Sequence, residues 1–390
     1  MPEIRRSRLA VGVLYLSMSA PIGGWAARVP EMRRQIGADD EQWGLANSVP
    51  AAGNAMGICV IALLVGRVRG TVLAPSAAAV VLLSAPLTAA STSLTGVVLG
   101  LTTWAFAAYV MAVPMGAMAL EAQRRCGRPI MGGFDMCFGT GVLAGGAAGA
   151  GSAALGVHPV GQLSVTSGLL ALALITVARR LPDDPPAPPT RPWRRFDRQI
   201  LPVAAMAFLS AYITEATILW SSIYVADTLR GGPILGGVAY TAATAAGIAA
   251  LLLVDRATHR FGAIRLFRAS TLLAAIGLGV CLTITSPLAA IIGFALLSIG
   301  TACVNPLVYT FAGNQQKLTA SEGVSVVEIA QMPGGSIAAP ALIGALSGLV
   351  GLRIALGSVA VAALLLALLA GRVTPHTAGR GAPRPRRSGP

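Results

Sequence analysis

The basic residues of this chain recur in every second gap between long apolar stretches. Of its 29 lysines and arginines, 24 lie in alternate gaps and five in the gaps between them. Twelve stretches are long enough to cross a bilayer, near residues 9–27, 43–65, 71–90, 94–120, 130–154, 160–178, 200–225, 233–254, 263–284, 287–313, 323–348 and 351–371. Each approaches or exceeds the roughly 20 apolar residues that a spanning helix requires. Cytoplasmic loops carry the excess of Arg and Lys, so the alternation predicts an all-α, polytopic membrane protein with both termini cytoplasmic.

Composition supports that class. The hydrophobic share is 55% and the charged share 11%, against about 25% charged in a soluble globular domain. Mean hydropathy is +0.71. The net charge of +14 is carried by the predicted cytoplasmic loops and the tail from Arg372 to Arg387. It is a topology signal suited to anionic lipid head groups, not a nucleic-acid footprint. The opening Arg5-Arg6-Ser7-Arg8, with an apolar run to Ser19-Ala20, has the outline of a cleaved signal peptide; eleven further spans favour an uncleaved first helix. Cys59, Cys137, Cys281 and Cys303 are scattered in spans and Cys126 lies in a loop, a spacing that points to packing rather than to disulfides, a metal site or any cofactor.

The longest connection, residues 179–199, is rich in proline and arginine and divides the spans six and six. The expected organisation is a first bundle over 1–178, a semi-rigid cytoplasmic linker over 179–199, a second bundle over 200–371 and a disordered basic tail over 372–390. The halves repeat one another. Trp25 matches Trp220, Arg69-Gly70 matches Phe261-Gly262, Pro114 matches Pro306, Gln123 matches Gln315 and Asp135 matches Glu328, in order and at offsets of 192 to 195. An even number of spans returns the chain to the same side, so the repeat is parallel. Two six-helix halves with a site between them near the midplane is an established transporter plan.

At this point the chain resembles the major facilitator superfamily along essentially its whole length. The loop Asp255-Arg256-Ala257-Thr258-His259-Arg260-Phe261-Gly262 is similar to the acidic and basic loop found in both halves of that superfamily, and Gly66-Arg67-Val68-Arg69-Gly70 is a shortened copy without the aspartate. Trp25-Ala26-Ala27-Arg28-Val29-Pro30 and Gly127-Arg128-Pro129-Ile130-Met131 resemble the bacterial branch around the fucose permeases. The resemblance implies a bacterial cytoplasmic-membrane transporter whose two bundles rock about a central site. It implies an inner gate of Arg67, Arg69, Asp255, Arg256 and Arg260, and a cavity lined by the spans that contain Pro114 and Asn305-Pro306.

Three acids lie inside apolar spans: Asp135, Glu215 and Glu328. An ionised acid at the centre of a spanning helix costs about 2.5 to 3.5 kcal/mol on insertion scales. Desolvation favours the neutral form of a carboxyl, so an acid that is alternately wet and closed can take up and release a proton. All three are candidates for proton coupling, with a neutral acid hydrogen-bonded between helices as the plainer reading. At about 100° per residue, Tyr212, Glu215, Leu219 and Ser222 share one face of span 7, and Ser321, Ser325, Glu328, Gln331, Met332 and Gly335 share one face of span 11. Pro333 removes the hydrogen bond to the carbonyl of Ile329, which either leaves a free carbonyl close to Glu328 suited to cation or proton handling or simply kinks span 11 so that it can rock.

Tyr212, Ser222, Asn305 and Gln331 are candidate solute contacts, and Met115 joins them from a methionine stripe, Met111, Met115 and Met118, that is more often core. Trp25 and Arg28 could bracket a solute, although Arg28 can equally pair with Glu31 and Trp25 can anchor at the interface. Glu121, before Arg124, Arg125 and Arg128, is a candidate gate acid. The glycines of span 5 resemble the antiporter motif of drug exporters in the superfamily, but Gly146 stands where that motif has proline; close packing through Gly141, Gly145 and Gly149 explains the spacing without a transport direction.

Together these features predict a secondary transporter of a small organic solute, coupled to protons. Import of a sugar-like solute is favoured by the polar faces of spans 7 and 11. Export of an apolar or amphipathic compound is favoured by the span 5 glycines, by the span 4 methionines and by the scarcity of aromatics, 5%, that would stack on sugars. An ATP-driven pump needs a phosphate-cradling G-x-x-x-x-G-K-[ST] loop, and the sole lysine, Lys317, is not preceded by one. His158, His259 and His376 fall in predicted loops or the tail, so an intramembrane enzyme is disfavoured. A non-transporting membrane protein is the remote alternative.

Overall fold

With no water in a bilayer core, backbone groups must be satisfied within each spanning segment, and helices do this. A computed structural model of the chain describes residues 2–64, 67–126, 130–182, 201–313 and 320–370. Its first half comprises α1 (Pro2–Ile36), α2 (Asp40–Ser48), α3 (Pro50–Leu64), α4 (Gly70–Ala89), α5 (Leu94–Cys126), α6 (Met131–Ala154) and α7 (Pro159–Val177). The second half comprises α8 (Leu201–Ile223), α9 (Gly232–Phe261), α10 (Ala263–Thr283), α11 (Pro287–Thr301), α12 (Val304–Gly313), α13 (Ala320–Met332), α14 (Ala339–Val350), α15 (Leu352–Ala355) and α16 (Gly357–Leu369). No strand occurs among the described residues. Most of linker 179–199, the tail 372–390, Gln315 and Lys317 lie outside them.

These helices form twelve spans in two six-helix bundles. Eleven are long and apolar enough to cross a membrane among the described residues. The twelfth, α6, has 24 residues, about 36 Å at the helical rise. Outward-facing apolar side chains such as Leu83, Leu87, Leu169, Leu172 and Ile175 are exposed, as a lipid-facing surface requires.

Prolines divide several spans. Span 2 is α2 followed by α3, which begins at Pro50. Span 10 breaks between α11 and α12, at Ala302-Cys303, where the Pro306 ring would meet the carbonyl of Ala302. Its presumed counterpart, Pro114, lies inside the continuous helix α5; the expected matched breaks are therefore realised only in span 10. A proline removes one bond, and a long helix with intact turns on both sides can absorb that loss. Span 11 is α13, a π-helical turn over Pro333–Ala338, then α14, so the loss of the Pro333 bond is accommodated by a wider turn.

The tightest seam joins α1 to α6. A Cβ on Gly145 would lie 2.0 Å from the Ala20 carbonyl oxygen, one on Gly141 would lie 2.0 Å from Ser19 Oγ, and one on Gly23 would lie 1.9 Å from the Val142 carbonyl oxygen. Only glycine permits this approach. Met111, Met115 and Met118 are buried in the first-half core. The span 5 glycines and the span 4 methionines thus both serve packing, and neither indicates a transport direction.

Candidate functional site

A cavity of about 690 Å³ lies between the halves. The first half contributes Ile22 and Trp25 from α1, Asn47 and Asn54 from span 2, and Leu101 and Trp104 from α5. The second half contributes Glu215 from α8, Tyr240 and Thr244 from α9, Asn305 from α12 and Ser336 from the π-helical turn. Breaks in the helices place polar residues there: Asn305 follows the span 10 interruption, and Ser336 lies within the π turn.

Glu215 is half-buried on the cavity wall. Its carboxyl has no hydrogen-bond or ion-pair partner among the described residues. Tyr240, itself bonded to Thr244, is the titratable neighbour within electrostatic reach. No Arg, Lys or His lines the cavity among the described residues. The remaining walls are largely apolar, with Trp25, Trp104, Phe138 and Tyr240 as the aromatic members. Trp25 meets Trp104 edge-on with ring centroids 6.0 Å apart, and behind it Trp25 stacks on Trp43 at 6.4 Å.

A hydrogen-bonded chain leads away from Asn305. Its Oδ1 accepts from Ser210 Oγ at 2.7 Å and from Gln331 Nε2 at 3.1 Å. One turn further along α12, the Tyr309 hydroxyl donates to Glu328 Oε1 at 2.5 Å. Glu328 is exposed and does not line the cavity. The side chains of Asp135, Asp255, Ser321 and Ser325 lie outside the described residues, and with them the expected matching depth of Asp135 and Glu328.

Several expected contacts face elsewhere. Arg28 does not line the cavity: it is 1% exposed and turns toward α6, where its guanidinium donates to Ser152 Oγ at 2.7 Å and pairs with Glu31 at 2.6 Å. Trp25 is buried rather than interfacial. Tyr212 and Ser222 share a face with Glu215 on a helical projection, but neighbouring helices cover them: the Tyr212 hydroxyl bonds Ser358 in α16 at 2.6 Å, and Ser222 donates to the Ala26 carbonyl at 3.0 Å. Met115 is core. Glu121 pairs with Arg125 of its own helix at 2.8 Å, so it bridges no helices among the described residues. Arg67, Arg69, Arg256 and Arg260 are exposed and make no ion pair between halves among the described residues. Asn47, Asn54, Trp104, Tyr240 and Ser336 were not singled out from sequence. Asn47 and Asn54, polar amides within an apolar span, carried a usable signal.

The ion pairs between halves, among the described residues, gather beyond Trp25 at the end where α1 stops. Asp227 of the second half lies 3.7 Å from Arg33 and 3.3 Å from Arg34. Arg33 also holds Asp40 at 2.6 Å, and Ser347 of α14 donates to Asp40. There α2 crosses α14 so closely that a Cβ on Gly44 would lie 2.3 Å from the Pro340 carbonyl oxygen. This end of the cavity is closed.

Comparison with known proteins agrees with this architecture. The family profile described as Major Facilitator Superfamily matches residues 9–315 and 200–389. An uncharacterized MFS-type transporter of Yersinia pestis is 28% identical over 370 residues, covering 94% of this chain and 95% of its own length. The membrane protein MosC of Rhizobium meliloti is 25% identical over 388 residues, covering 96% of this chain and 92% of its own. Among solved structures, a mutant of the nucleoside transporter NupG superposes with a TM-score of 0.76 at 11% identity, over 94% of this chain and 99% of that one. A bacterial homologue of the human lysosomal transporter Spinster, inward-facing and unoccupied, gives 0.75 at 13% identity, over 96% and 98%. At such identities the superpositions speak for the fold alone.

Proposed function

The chain belongs to the major facilitator superfamily and is a multi-pass membrane transporter, and from that premise we propose that it carries a small organic solute by alternating access, with Glu215 as the proton-coupling acid. The moving bodies are residues 1–178 and 200–371, joined by the linker. The observation that carries the reading is Glu215 itself: an acid without a partner among the described residues, in a cavity between two halves. An acid in that position is costly unless it has a task, and rocking the halves would expose it to each side in turn. The positive-inside bias assigns the end closed by Arg33, Arg34 and Asp227 to the outside of a bacterial cytoplasmic membrane, with both termini cytoplasmic. The structure then corresponds to the state facing the cytoplasm. Hydrophobic Trp25 and Trp43 beneath the ion pairs keep that closure dry.

Uptake into proteoliposomes tests this reading. A solute library is screened with an imposed pH gradient, and Glu215→Gln preserves the shape of the side chain while removing its proton. We expect gradient-driven flux to collapse in this variant while exchange of solute without a gradient, measured at a solute concentration high enough to saturate the variant, survives. Unchanged gradient-driven flux would assign Glu215 a structural role.

A further inference from the structure

From the chemistry of the cavity wall we propose that the solute is a monovalent organic cation, an amine carrying an aromatic or apolar body, whose ammonium group bonds Glu215. The inference rests on the cavity being the transport site. Polar atoms are present on the wall, and several are already committed. The hydroxyls of Thr214, Thr217 and Thr301 donate to carbonyls of their own helices, Asn47 donates to the Trp43 carbonyl at 2.8 Å, and Asn54 donates to Ser336 across the halves at 3.4 Å. Asn305 Oδ1 already accepts twice. The polar groups outside those bonds, the Asn305 amide nitrogen, the side-chain oxygens of Asn47 and Asn54 and the Ser298 hydroxyl, are all neutral, so the one charged group on the wall among the described residues, Glu215, sets the preference.

Charge decides the next step. An anionic solute would meet Glu215 with no Arg, Lys or His on the wall among the described residues to offset it, and burying such a pair of like charges is costly. A cation finds the reverse: one carboxylate with no partner among the described residues, beside aromatic side chains. Trp25, Trp104 and Tyr240 surround the same space, and aromatic faces attract ammonium groups, most strongly where water is excluded. An inorganic cation fits less well. Calcium takes 6 to 8 oxygen ligands, and magnesium demands a near-complete octahedron, whereas aromatic rings and committed hydroxyls flank Glu215.

Binding can be measured without knowing the physiological solute. The purified full-length chain is heated with 2-phenylethylamine, 2-phenylethanol or 3-phenylpropionate, which share a ring and differ in the charge of the head group. A ligand of the folded state raises the melting temperature as its concentration passes its dissociation constant. We expect the amine to act at a concentration about tenfold or more below the alcohol and the carboxylate, the margin that one charge-assisted hydrogen bond provides. In Glu215→Gln that advantage should disappear. If the variant does not fold, the ranking of the three compounds on the unmodified chain decides the matter alone. The inference is overturned if the alcohol or the carboxylate matches the amine, if the amine gives no shift, or if a folded Glu215→Gln keeps the preference. Amine binding without flux of any solute into vesicles would instead sink the transport reading. Flux of a neutral solute with no amine preference would do the opposite.

Discussion

Arg28 and Glu215 show two ways in which a charge survives inside an apolar helix bundle. Arg28 is engaged through both terminal nitrogens of its guanidinium, which reach Glu31, Ser152, and the carbonyls of Gly149 and Val157, the last at 2.5 Å, while its Nε is buried without a partner among the described residues. It thereby ties α1 to the end of α6 and the connection that follows. Replacing it with leucine strands those acceptors and is expected to cost about 3 kcal/mol, the range found for removing one partner of a buried pair. Lysine should recover only part, because its single ammonium cannot reproduce the planar fork. Thermal unfolding of the purified variants checks both, and a lysine variant as stable as the parent would show that the fork is dispensable. Glu215 is unengaged among the described residues, which is why it reads as functional. Both residues were conspicuous in sequence as charges in apolar runs. Their difference was not, because Arg28 and Trp25 are three residues apart and only the neighbouring helices decide which of them faces the cavity.

Among elements, the crossing of α2 and α14 carries the closed end. Gly44 and Gly344 meet there, with the Gly344 Cβ position 2.8 Å from the Asp40 carbonyl oxygen, and Ser48 donates to the Ile337 carbonyl at 3.4 Å. Gly44→Val would force backbone from backbone, since the obstruction is the Pro340 carbonyl and not a side chain that could turn aside. We expect this variant to spend less time closed at that end, so that a cysteine placed at Asn47 reacts faster with an impermeant thiol reagent from that side. An unchanged rate would remove the crossing from the closure. The helices themselves were legible because a bilayer sets their length and their apolar content. Their breaks were legible only in part: Pro306 and Pro333 interrupt their helices while Pro114 does not, and sequence alone does not reveal whether a helix can absorb the missing bond. The four-residue glycine spacing of span 5 was legible as packing, since close approach is a local demand on Cβ; its partner, α1, was not.

For the whole molecule, alternate charged loops, a duplicated six-span unit and a dividing linker made the two-bundle architecture readable from the chain. The closure of one end was not readable. Arg33, Arg34, Asp40, Asp227 and Ser347 come from three distant parts of the sequence and acquire meaning only when the halves touch. Nor did the helical face of span 7 separate Glu215, which meets the cavity, from Tyr212 and Ser222, which meet other helices. Alternating access requires the two ends to move in opposition. Spin labels at Asp39 and Leu349 report on the closed end, and labels at Arg67 and Arg256 on the other; all four positions are exposed. Measured by pulsed dipolar spectroscopy in lipid, the two pairs should each show two separations whose populations change in opposite directions as pH is varied, the first pair lengthening as the second shortens. A single fixed separation at both ends, or ends that open together, would contradict transport by rocking of the two halves.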